Sequence, residues 1–102
     1  MLLRYRYLQP TGGGFHYGAS TESPSYRLAY AGSIPAAADE PTEEVLERLW
    51  LRHSSDLRPQ ARGERPFGTG DVLDLGDRGI WQAIPLGFRS LAPAELRVEE
   101  AA

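Results

Sequence analysis

One stretch of this chain repeats its apolar residues at a helical period. Val45, Leu46, Leu49, Trp50 and His53 recur at i, i+1, i+4, i+5 and i+8, a single continuous stripe on one face. Asp39, Glu40, Glu43 and Glu44 lie ahead of the stripe, and Arg48, Arg52 and His53 close it, the charge order that a helix dipole favours. Asp39 or Thr42 is placed to cap such a helix, Pro41 suits its first turn, and Glu44 with Arg48 forms an i,i+4 pair. The helix is expected to run to about His53.

Elsewhere the period is two. Leu3, Tyr5 and Tyr7 alternate with Arg4 and Arg6, and Tyr26, Leu28 and Tyr30 share one face of a second strand that Gly32 is expected to end. Between them, residues 9–14 break the first strand, 15–17 are expected to return as a short hairpin arm around His16, and 18–25 hold only turn formers. Residues 34–38 read as a connector and 54–70 as irregular. Two apolar runs, 71–75 and 80–84, flank a glycine-bounded turn and predict a hairpin, with a last strand over 88–91. The sum is an α+β domain over residues 1–92: a small, mainly antiparallel, curved sheet with one principal helix packed on it. Residues 93–102 are an Ala/Glu-rich tail, expected as a short helix or without structure. The core should hold Leu3, Tyr5, Leu28, Tyr30, Val45, Leu46, Leu49, Trp50, Val72, Leu73, Leu75, Ile80, Trp81, Ile84 and Phe88. Leu73 and Leu75 share a face with Val72 opposite, so that strand should be covered on both sides.

At 102 residues this is one domain of ordinary size, able to fold without staples. It has no Cys, which excludes disulfides, thiolate metal sites and thiol nucleophiles. Residues 1–7 alternate rather than run apolar as a signal peptide does, and no stretch reaches the ~18–20 apolar residues of a membrane span. The expectation is a cytoplasmic domain with no membrane attachment. All 11 basic residues are Arg, and the net charge is −3, which argues against nonspecific nucleic-acid binding. The charge is uneven: residues 1–38 carry Arg4, Arg6 and Arg27 against Glu22 alone, while the remainder is acidic.

Catalytic constellations are hard to assemble from these residues. There is no Gly-x-Ser-x-Gly elbow to accompany His16 or His53. Asp71, Asp74 and Asp77 are spaced by three, but on a strand the first two point to opposite faces, so no metal is expected. The Thr11–Gly14 run lacks the Lys and the following helix of a phosphate loop. No cofactor motif is present, and the expectation is a protein that is not an enzyme. Trp50 and Trp81 read as core anchors.

The order of landmarks in the second half resembles the YodL-like domain family. The residues that carry the likeness are Tyr26-x-Leu28-x-Tyr30, the acidic helix ending in Trp50, Gly70-Asp71-Val72 and Gly87-Phe88, over about residues 26–91. The family typically shows a Tyr-x-Val-x-Tyr strand, an acidic helix with an aromatic near its end, a Ser-Leu-Ser-x-Gly-Asp-Val segment and a closing Gly-Phe. This chain departs in having Ser54 where Asn is usual after the helix. It also has Pro66, Phe67 and Gly68 near the Ser-Leu-Ser position, leaving Thr69 as the only hydroxyl there. The resemblance implies an association with conjugative plasmids, phages and other mobile elements, and carries no catalytic residues.

The leading expectation is a non-catalytic protein-binding accessory domain of a mobile-element or phage–host-conflict locus, with a protein as partner. A nucleic-acid-contacting module using the Arg-bearing strand and loop is the alternative, and a component of an enzyme complex a third. Candidate contact residues are Arg4 and Arg6 on the first strand, Leu51 opposite the helical stripe, and Arg58, Arg62 and Arg65 in the irregular segment. If the first strand lies at a sheet edge, it offers a template for a partner strand. Gly70, Asp71, Gly87 and Phe88 are assigned structural roles, with Gly70 in a turn whose backbone state is poorly open to other residues and the Asp71 carboxylate bonding nearby N–H groups.

Overall fold

A computed structural model of the chain describes residues 1–11, 25–60 and 65–99. His16, the arm over 15–17 and Arg62 lie outside them. The elements run β1 (Leu2–Pro10), β2 (Ser25–Pro35), α1 (Thr42–Ser54), β3 (Val72–Asp74), β4 (Ile80–Ile84), β5 (Gly87–Leu91) and β6 (Arg97–Glu99). One six-stranded sheet takes the order β5-β4-β3-β1-β2-β6, antiparallel throughout except for the β2–β6 pair. This is a small α+β domain, as the two periodicities predict.

The helix docks through the face its stripe predicts. Val45, Leu46 and Leu49 pack on Tyr5, Tyr7, Leu73 and Ala83 of the sheet, and His53 is fully buried. Its N-terminus has no side-chain cap. Arg78, in the turn after β3, instead donates to the carbonyls of Ala37 and Glu40 just ahead of the helix, at 2.8 and 2.5 Å. Arg48 ignores Glu44 and pairs with Glu40 at 2.9 Å, also donating to the Pro35 carbonyl.

A second, smaller core lies on the other side of the sheet, where Leu8, Tyr26, Val72, Ile80 and Leu91 meet Leu96 and Val98. Val72 and Leu73 are both fully buried, on opposite faces, as expected. The sheet curls around this second core. Gln82 on β4 donates to the Tyr26 hydroxyl on β2 at 3.0 Å, although β3 and β1 lie between them. Three strand steps in a flat sheet span ~14 Å, so side chains standing off the sheet meet there because it is curved.

Four expectations are corrected. The strand at Tyr26 does not stop at Gly32 but continues to Pro35. Gly32 lies inside it, at a position where a Cβ would sit 2.7 Å from the Tyr30 ring. A register shift opposite Tyr7 and Leu8 leaves Ala29 without a partner and separates Leu28 from Tyr30 in facing. Leu28 is therefore half exposed instead of core. The stretch from Pro93 is a short 3-10 turn followed by β6, and its Leu96 and Val98 cover the second core. Finally, β1 is interior: it pairs with β2 along its length and with β3 over residues 6–8. Over residues 6–8 it therefore offers no free edge, while residues 2–5 are bonded to β2 alone among the described residues.

Candidate functional site

Among the described residues, Arg4 and Arg6 share one face of β1 and line one shallow concavity, and the other sequence-predicted contact residues do not join them. Arg6 lies against Asp74, its Nε and terminal nitrogen donating to one carboxylate oxygen at 3.1 and 2.6 Å. Arg4 is exposed on the same face and has no ion pair among the described residues. Arg58 folds back on the Ser55 carbonyl at 3.3 Å. Arg65 points inward instead of out, and forks onto Asp71 at 2.8 and 2.5 Å.

That fork belongs to a polar network beneath the helix. Asp71, fully buried, also accepts from the Tyr7 hydroxyl at 2.8 Å and from the Gly68 backbone N–H at 2.9 Å. Gly70, with φ of 94°, makes the turn that aims it, as expected. Gln9 donates to the Tyr7 oxygen at 2.8 Å and accepts from Arg27. Beside this chain, the Tyr5 hydroxyl meets His53 Nε2 at 2.7 Å and Gln60 meets Nδ1 at 2.9 Å. The Gln60 amide nitrogen donates to the carbonyls of His53 and Arg65, so its oxygen is the acceptor and His53 carries its proton on Nδ1. Burial holds the His53 pKa below its ordinary value, the Gln60 bond opposing it. Burial, reinforced by Asp71, pushes the Tyr7 phenol well up. Every buried side-chain nitrogen and oxygen among the described residues has a partner. Such a saturated network fixes the helix, residues 54–60 and residues 65–70 on the sheet.

The open chemistry lies on the other side of α1. A groove of about 1030 Å³ runs between the helix and the β4–β5 hairpin. Trp50 and Phe88 form its floor, stacked edge to face with ring centres 6.0 Å apart and backed by Phe67. Trp81 forms one end, its indole N–H held by the Arg78 carbonyl at 2.9 Å. Leu51 and Leu86 stand on opposite walls, 62% and 96% exposed. Glu43 and Glu47 complete the helix wall, and no basic residue lines the groove among the described residues.

Of the sequence candidates among the described residues, only Leu51 and the Gly87–Phe88 pair fall here. Trp50 and Trp81 are half buried, lining the groove while packing against the core. Leu86 was not singled out, although an apolar residue at a hairpin tip beside Pro85 is a visible signal. No described helix is long and apolar enough to cross a membrane. Comparison with family models, curated proteins and solved structures finds no match to this chain.

Proposed function

We propose that this chain is a non-catalytic protein-binding accessory domain whose partner seats in the groove between α1 and the β4–β5 hairpin. The observation that carries this reading is the coincidence of Leu51 and Leu86, both exposed, with the half-buried rings of Trp50, Trp81 and Phe88 in one concavity. A lone exposed Leu is ordinary. A cleft that combines exposed aliphatic walls with aromatic rings has the composition of a recognition surface, where aromatic anchors carry most of the binding energy. The ordered likeness of residues 26–91 to the YodL-like family supports a setting in a mobile-element or phage–host-conflict locus, which the genes flanking this one would test.

An Arg-based nucleic-acid surface has less to work with, because Arg6 and Arg65 are each committed to an Asp carboxylate. The protein-binding reading is tested by placing a photo-crosslinking residue at Leu51 in the native cell. Leu57, 94% exposed and outside the groove, serves as control. A discrete protein adduct from position 51 that Leu86→Glu abolishes is expected. Identical adducts from both positions, or none from 51, would overturn the reading. Leu51→Glu itself should change stability by less than about 0.5 kcal/mol, the usual range for surface positions.

A further inference from the structure

Resting on that reading, we infer that the partner enters the groove as an extended, basic segment that adds a seventh strand to the outer edge of β5. Among the described residues nothing pairs with that edge, and β5 is bonded to β4 alone. The turn has two residues, Pro85 and Leu86, so the pair that closes it, Ile84 with Gly87, is the one that exchanges both bonds. Bonded pairs alternate, which makes Gln82–Arg89 the next one and turns the backbone groups of Phe88 and Ser90 outward. The inner side agrees: Ala83, opposite Phe88, spends its backbone groups on Gly70 and Asp71 across the sheet, at 2.8 and 2.9 Å. Natural edges are usually blunted by Pro, Lys or a bulge. Residues 87–91 include no Pro, their one charged residue, Arg89, is turned back onto Gln82 of β4 at 2.8 Å, and their register with β4 is unbroken.

The groove lies where an added strand would project its side chains. Phe88 and Ser90 face the helix side, since Phe88 stacks on Trp50 and Ser90 is paired with Trp81. A strand ~4.8 Å beyond β5 would therefore place every second side chain over the apolar floor. Main-chain bonds then supply affinity and the groove reads alternate residues. The wall facing them carries Glu43 and Glu47, one turn apart, exposed and without an ion pair among the described residues. This charge favours Arg or Lys in the incoming segment.

The test selects random nine-residue peptides, displayed on phage, against the full chain. Expected winners alternate apolar residues and carry Arg or Lys. Their synthetic versions should bind at least tenfold more weakly to Ser90→Pro, which removes an outward N–H while sparing the hairpin bonds, and to the Glu43→Lys, Glu47→Lys double variant. Because Ser90→Pro could disturb the strand, the same question is put to the ligand. N-methylation at alternate peptide positions should abolish binding in one frame and be tolerated in the other. Groove-dependent peptides that are helical when bound and indifferent to N-methylation frame would overturn strand addition while leaving the protein-binding reading intact. Acidic winners, or none, would also overturn the inference. So would a concentration-dependent dimer that Ser90→Pro abolishes, or a crosslink showing residues 12–24 of the chain itself in the groove.

Discussion

At the residue scale, Asp71 shows where a local reading of sequence stops. Gly70-Asp71 announces a turn with a carboxylate folded onto backbone, and the structure has both. Nothing local announces Tyr7 or Arg65 as partners, since one lies 64 positions away and the other enters from an irregular segment. An Asp judged by its turn alone would be worth on the order of 1 kcal/mol. This one is fully buried, and its removal orphans the Tyr7 hydroxyl and the Gly68 N–H. The Arg65 side chain is 47% exposed and can return to water, so the ion pair itself is screened and adds less. Asp71→Ala should cost about 2–4 kcal/mol, as unsatisfied buried donors do, and Asp71→Asn, which still accepts from Tyr7, distinctly less. Urea denaturation midpoints measure both. Equal small losses would mean that the network contributes little.

At the element scale, periodicity located the helix, the docking face and five of the strands, because burial on one side writes itself into spacing. It could not order them. Alternation in β1 shows a strand half buried by apolar side chains, and says nothing of whether hydrogen bonds are made on one edge or two. Arg4 and Arg6 read as a contact pair on an edge, yet Arg6 is balanced by Asp74 from the neighbouring strand. The misplacement of Leu28 has the same origin: one extra residue in β2 changes the facing of everything beyond it. The groove was half legible, in Leu51, but its other wall comes from a hairpin whose place beside α1 is a tertiary fact. The last strand was hidden by composition, since three residues pairing parallel to β2 leave almost no pattern. A chain ending at Ala92 tests its worth. Leu96 and Val98 are partly buried against the second core, and their loss should cost about 2–3 kcal/mol. An unchanged midpoint would return the segment to the role of a tail.

At the scale of the whole molecule, the buried titratable groups define a pH window for the fold. Tyr7, pushed up by burial and by Asp71, opposes ionisation, so stability should fall as pH rises beyond 10.0, where the unfolded phenol begins to ionise. The acid side rests on His53. Tyr5 and Gln60 occupy its two nitrogens, the rings of Tyr7 and Tyr30 lie 5.0 and 5.2 Å away, and Arg52 adds repulsion. Among the described residues no carboxylate bonds to it, and the Gln60 bond favours the imidazolium by less than burial disfavours it. Its folded pKa is below 6.5 while the unfolded chain binds the proton near that value, so the unfolded state holds more protons as the pH drops. Stability should therefore be complete above about pH 6.5 and decline below it, by at most about 1.4 kcal/mol per pH unit. A proton on Nε2 removes the acceptor of the Tyr5 hydroxyl, loosening the join between α1 and β1. Gln60 ties the same ring to the segment that delivers Arg65 to Asp71, so both halves of the network feel the change. His53→Phe should start less stable at pH 7 but lose the slope between pH 6.5 and 5, before most carboxylates titrate. His16→Gln, followed in the same denaturant series, controls for the other imidazole. An identical slope in His53→Phe and the parent chain would assign the acid sensitivity elsewhere.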